Sequence, residues 1–157
     1  MSLPKPDYKN PVHWLAFGLG SGFAPKAPGT FGTLAAMPFY WFLLKDLNPF
    51  IYASVLLVGF GIGVWLCERT SRDLGVHDHG GIVIDEWIGV WLTLFLLPPT
   101  WQWALAGFVL FRFFDIIKPW PIRWFDERVH GGFGIMIDDV IAGLFALVCL
   151  HLAHWVL

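Results

Sequence analysis

The stretch FRFFDIIKPWPIRWFDERVHGGFGIMIDDVIAG, residues 111–143, decides how this chain folds. An apolar run enters it carrying Arg112, Asp115 and Lys118 at i, i+3 and i+6, a spacing that lines three charges along one helical face. Pro119 and Pro121 stop that helix, because proline lacks an N–H and disfavours helical geometry in the residue before it. A charged connector rich in proline and glycine follows, and Asp138-Asp139 then head the last apolar run. Acidic residues are scarce, 12 in 157. Carboxylates spent at the ends of apolar helices, where ionised groups are costly, point to function.

The rest of the composition agrees with an apolar setting. The chain is 57% hydrophobic, 18% aromatic and 14% charged, with ten tryptophans and a mean hydropathy of +0.63. Soluble domains carry about 25% charged residues, so this much apolar surface requires lipid as solvent. We expect an all-α integral membrane protein forming a single domain over residues 1–157, with 1–13 as a polar tail. The net charge of −2 lacks the basic patch that nucleic acid requires, which excludes that partner. Cys67 and Cys149 each lie inside an apolar run without framework spacing and read as packing residues. The proline-bearing start MSLPKPDYKN does not resemble a cleavable signal peptide.

Working outward from 111–143, residues 14–23 (WLAFGLGSGF) are too short to span and suit a short re-entrant or interfacial helix. The turn APKAPGTFGT follows, in which Thr30 or Thr33 can cap the next helix. Five apolar runs cover about 31–44, 50–67, 82–97, 101–117 and 139–157. Each falls somewhat short of the roughly 20 residues that cross a bilayer core, and aromatic and proline residues at their ends extend the reach. With the N-terminus inside, Lys5, Lys9, Lys26, Arg69, Arg72, Lys118, Arg123 and Arg128 fall on the cytoplasmic side. Only Lys45 falls outside, which is a strong positive-inside bias. The same topology brings Thr30, Thr33, Glu68, Asp85-Glu86, Asp115 and Asp138-Asp139 to one membrane face.

Each constellation has an ordinary explanation as well. Asp85-Glu86 in GGIVIDEWIGVW can complement a helix dipole, but a cap seldom needs two adjacent carboxylates beside a membrane core. Asp138-Asp139 invites the same comparison. Together with Asp115 at the same depth, these acids suit a hard Mg²⁺ ion, which prefers carboxylate and phosphate oxygens. Arg112 and Asp115 can form an ion pair within their helix while Lys118 snorkels, or the two cations can clamp phosphate oxygens. Gly131-Gly132 and Gly134 form either a flexible turn or a loop approaching a phosphate at a helix N-terminus. There is no nucleotide-binding glycine motif. His77 and His79 read as solvated loop residues, His13 and His130 carry no signal, and Glu68-Arg69 reads as a local ion pair, with Glu68 also able to reach the site. Asp126, Glu127 and Arg128 read as a solvated connector.

Taken in order, GLGSGFAPKAPGTFGTLAA, IVIDEWIG, FRFFDIIKPWPI and GGFGIMIDDVIAG resemble the phosphatidylglycerophosphatase A family over nearly the whole chain. The resemblance implies a Mg²⁺-dependent phosphatase of bacterial inner membranes, multi-pass with its active site facing the cytoplasm. Its substrate would be phosphatidylglycerophosphate, held in the bilayer. Functional positions carry over to Asp85, Glu86, Asp115, Asp138 and Asp139 as catalytic and metal-binding groups. Lys118 carries over as a substrate contact, with Thr30 and Thr33 beside it. Charge adds Arg123 and Lys26 as neutralisers of the phosphate. Two other classes stay open. A Mg²⁺-dependent phosphatidyltransferase would also cluster carboxylates here, although its long DG…AR…G…D…D signature is absent. A small channel or transporter subunit would place polar residues at mid-membrane or on both faces.

Overall fold

Proline and short polar residues begin several of the helices, and left-handed residues, Gly75 and Lys118, end two of them. In the computed structural model, which describes residues 2–157, the Asn10 side chain accepts from the Val12 N–H and Pro11 opens helix α1, Pro11–Ala16. Proline suits the first helical position because its missing N–H would have had no partner there. Helix α2, Pro28–Phe39, starts the same way. Helix α3, Pro49–Leu74, is capped by Asn48 and closes on Gly75 at φ 67, a conformation glycine adopts without cost. Helices α4, Ile84–Thr93, and α5, Trp101–Ile117, follow. Helices α6, Ile122–Arg128, and α7, Gly131–Val156, complete the chain. Among the described residues there is no strand, and the all-α expectation holds.

Helix α7 is the central post, packed against α3, α4, α5 and α6, while α4 is wedged among α2, α3, α5 and α7. Helix α4 therefore buries most of its circumference: Glu86, Trp87, Ile88, Gly89, Val90 and Thr93. The wedge closes tightly at a pair of glycines. A Cβ on Gly143 of α7 would lie 2.6 Å from the Gly89 carbonyl oxygen of α4, so only hydrogen at that position lets the two backbones meet. Around this crossing the core is Ala36, Tyr40, Trp87, Val90, Leu94, Phe111, Ala142 and Ala146. By contrast, α3 leaves Phe50, Ile51, Leu57, Val58, Ile62 and Trp65 exposed along its length.

Three expectations change. All five apolar runs are helical, but among the described residues only α3 and α7, at 26 residues each, are long and apolar enough to cross a membrane, about 39 Å at 1.5 Å per residue. Helix α4 has ten residues and ends where Leu96 turns left-handed at φ 63 ahead of Pro98. Pro38 sits inside α2, and the chain passes directly into one π-helical turn, Tyr40–Leu44, the kind of irregularity that follows a lost i→i−4 bond. The second change concerns GGFG, which is helix rather than loop. The Gly131 and Gly132 N–H groups donate to His77 Nε2 at 2.8 Å and to Glu68 Oε2 at 2.7 Å, so borrowed caps let α7 begin eight residues early. The third is the N-terminal segment. His79 Nε2 is 2.9 Å from the Pro4 carbonyl, the Asp7 N–H donates to His13 Nδ1 at 2.9 Å, and Pro6 and His13 are buried. Residues 14–23 supply the end of the short helix α1 and one 3₁₀ turn, Ser21–Phe23.

Candidate active site

Asp85 and Glu86 stand in the first turn of α4, pinned in place because the Val83 N–H donates to the Ala16 carbonyl at 2.9 Å. Asp139 faces them from α7, one helical turn above the glycine crossing. One oxygen from each of Asp85, Glu86 and Asp139 lies within 4.8 Å of the other two. Glu86 is 8% and Asp139 3% exposed, so water cannot screen these carboxylates from one another. Asp85 Oδ1 and Asp139 Oδ2 are buried with no hydrogen-bond partner among the described residues. An unpaired buried polar group costs about 1–3 kcal/mol, and more when it is charged. Converging carboxylates with open oxygens fit a hard divalent cation, which takes oxygen ligands and cancels the repulsion.

Cations border the cluster on two sides. Arg112, on α5, donates through Nη1 to Glu86 Oε2 at 2.9 Å and also pairs with Asp115. Lys118 ends α5 in a left-handed conformation at φ 48, a placement that costs a non-glycine residue of order 1 kcal/mol or more. That geometry swings its ammonium across to α7 and α6, where Nζ donates to Asp138 Oδ2 at 2.8 Å and Asp126 Oδ1 at 2.9 Å. Burial alone would lower the Lys118 pKa, but Asp138 and Asp126 outweigh it and hold the ammonium above the ordinary lysine value. Asp138 is itself 6% exposed, and the Asp139 N–H donates to its Oδ1 at 3.1 Å. Both Asp115 and Asp138 lie close enough to act electrostatically on Asp85 and Asp139.

All five predicted carboxylates thus share one neighbourhood, but in three settings: Asp85, Glu86 and Asp139 converge, Asp115 pairs with Arg112, and Asp138 pairs with Lys118. Thr33 is fully buried and its Oγ1 lies 2.6 Å from Glu86 Oε2, so it meets a carboxylate instead of open space. Thr30 is half-buried in the first turn of α2, and Lys26 is exposed just before it. Arg123 is turned outward, 74% exposed and 3.7 Å from Glu127. Asp138-Asp139 sit well inside α7, so dipole complementation in a first turn does not explain them. Asp126 is the residue that sequence reasoning passed over. Its partner Lys118 lies eight positions away across a proline turn, and no helical spacing signals that pairing.

Residues 14–154 match the sequence profile of the family described as phosphatidylglycerophosphatase A. The phosphatidylglycerophosphatase A of Escherichia coli strain K12 is 56% identical over 149 residues, covering 93% of this chain and 86% of that protein. The protein of the same name from Haemophilus influenzae is 48% identical over 157 residues, covering 99% of this chain and 96% of its own. A Bacteroides thetaiotaomicron relative, provisionally named a phosphatidylinositol-3-phosphatase, is 40% identical over 149 residues, with 89% and 91% covered. No solved structure matches the chain. With its acidic cluster and flanking cations carried on a chain matched from end to end, the protein belongs to the phosphatidylglycerophosphatase A family and is a phosphatase acting on a phosphate monoester.

Proposed function

We propose that this protein removes the terminal phosphate of phosphatidylglycerophosphate at the cytoplasmic face of a bacterial inner membrane, with Mg²⁺ held by Asp85, Glu86 and Asp139. The observation that carries the reading is the convergence of those carboxylates within 4.8 Å with two buried oxygens left open. Two helices able to cross a bilayer, the apolar outer face of α3 and the bacterial relatives support the membrane setting. We extend it to a multi-pass arrangement in which α2, α4 and α5 fill the space beside α3 and α7. Polar groups gathered at one end of the bundle support surface chemistry over a channel or transporter.

Held by Asp85, Glu86 and Asp139, a divalent cation would supply charge neutralisation for the phosphoryl group and lower the cost of activating water. Lys118 binds a phosphate oxygen: an ammonium has three donors, two of which Asp138 and Asp126 hold in place. Asp138 and Asp126 therefore aim the lysine. Thr30, Lys26 and the connector rim receive the head group, while the acyl chains stay in lipid. Asp115 keeps its Oδ1 outside the pair with Arg112, and we assign it to take the proton from the attacking water. As the water oxygen bonds to phosphorus, the bond to the primary oxygen of the glycerol breaks; that oxygen takes a proton from solvent water and leaves as the alcohol, and the transition state is stabilised by position and charge.

The test is release of inorganic phosphate from phosphatidylglycerophosphate by purified protein in detergent, with Mg²⁺ and with chelator. Turnover that chelation abolishes and Mg²⁺ restores is the expected result. Undiminished turnover in chelator removes the metal from the mechanism. Phosphatidylinositol 3-phosphate, suggested by the name of the Bacteroides relative, belongs in the same assay. Faster release from that lipid would reassign the substrate.

A further inference from the structure

Glu86 is held from one side only. Its Oε2 takes the Arg112 Nη1 donor at 2.9 Å and lies 2.6 Å from Thr33 Oγ1. Both partners are themselves fixed. Thr33 is fully buried, and its single hydroxyl proton has two acceptors in reach, Glu86 Oε2 and the Gly29 carbonyl at 2.9 Å, while Arg112 is anchored a second time by Asp115. The other oxygen, Oε1, faces Gly29 in the first turn of α2, where a Cβ would collide with it and come within 3.1 Å of Arg112 Nη2. One oxygen is therefore contacted by side chains from two other helices, and a glycine clears space around the second.

We propose that Arg112 and Thr33 are positioning residues that orient Glu86 as a metal ligand, with Gly29 keeping its free oxygen unobstructed. The inference rests on the metal reading above and adds a supporting layer to it. A carboxylate with both oxygens free rotates about its last bond and presents either one. Fixing Oε2 holds the carboxylate in one orientation beside Asp85 and Asp139, and ligands oriented this way bind more tightly. Because the support comes from α2 and α5, the acidic pair of α4 is completed only when all three helices are docked. Thr33 thereby acts through Glu86 and not on the phosphate, and Arg112 owes its place to the carboxylates.

The experiment measures Mn²⁺ binding directly, by the loss of free-ion electron paramagnetic resonance signal, in the full-length detergent-solubilised protein. Arg112→Gln and Thr33→Val should each weaken Mn²⁺ binding, by about 10–100-fold if they behave like other supporting residues. Thr33→Ser keeps the hydroxyl and should bind within about threefold of the unaltered protein, again on the scale of such supports. Gly29→Ala should weaken binding by blocking Oε1. Melting temperatures in chelator should stay close to the parent for Thr33→Val, which separates orientation from folding. Unchanged Mn²⁺ affinity in both Arg112→Gln and Thr33→Val overturns this inference alone. Absence of saturable Mn²⁺ binding by the unaltered protein overturns the metal reading and this inference with it.

Discussion

Asp139 and Asp115 are both acids at the head of the bundle, and their surroundings give them different work. Asp139 is almost wholly buried, has an oxygen with no partner and converges with two other carboxylates. Asp115 is engaged through Oδ2 by Arg112 at the end of α5. Asp139→Asn should therefore lose both Mn²⁺ binding and phosphate release, because an amide offers one neutral oxygen in place of a charged one. Asp115→Asn should keep Mn²⁺ affinity within a few-fold yet slow turnover by about 10²–10⁴, the contribution typical of a general base. Calorimetric Mn²⁺ titration beside the phosphate assay separates the two. Equal loss of ion binding in both variants would make Asp115 a ligand and leave the base to another group.

At the scale of the element, the crossing of α4 and α7 sets the distance between Asp85-Glu86 and Asp139. Gly143→Val would drive a branched side chain into the Gly89 carbonyl. It should destabilise the protein by about 1–3 kcal/mol, as overpacking does, and lower Mn²⁺ affinity as the carboxylates separate. Thermal unfolding followed by near-ultraviolet tryptophan signals would measure the first effect, and an unshifted midpoint with normal affinity would show that the helices can slide. Much of this architecture was legible beforehand. Hydrophobic runs located the five main elements, and the scarcity of acids singled out Asp85, Glu86, Asp115, Asp138 and Asp139. The expected cap at Thr30 or Thr33 is not found: Pro28 opens α2 after Ala27, and both threonines lie inside the helix. The misreadings share a cause in tertiary structure. Gly131-Gly132 looked like punctuation because the caps that stabilise α7 come from Glu68 and His77, more than 50 residues away. His79 looked solvated because its partner, the Pro4 carbonyl, lies 75 positions back. Helix α4 looked longer because leucines continue past Thr93 after the helical geometry has stopped.

The whole molecule has a polar head and an apolar body. In the proposed orientation Arg123 on α6 faces the cytoplasm and Lys45, beside the far end of α2, faces outward. Cysteines introduced at these exposed or partly exposed sites, in a background without Cys67 and Cys149, should react with an impermeant maleimide from opposite sides. Arg123→Cys should be labelled only after inner-membrane vesicles are inverted, and Lys45→Cys only before. Labelling of both from one side would discard the topology. Helix α4, with ten residues, spans only about 15 Å and stops with Thr93 and Leu94 buried beneath the acids. On the proposed reading this buried floor would close the site from below. Ion, water and phosphate would then be exchanged with one compartment, and turnover would leave any transmembrane gradient untouched.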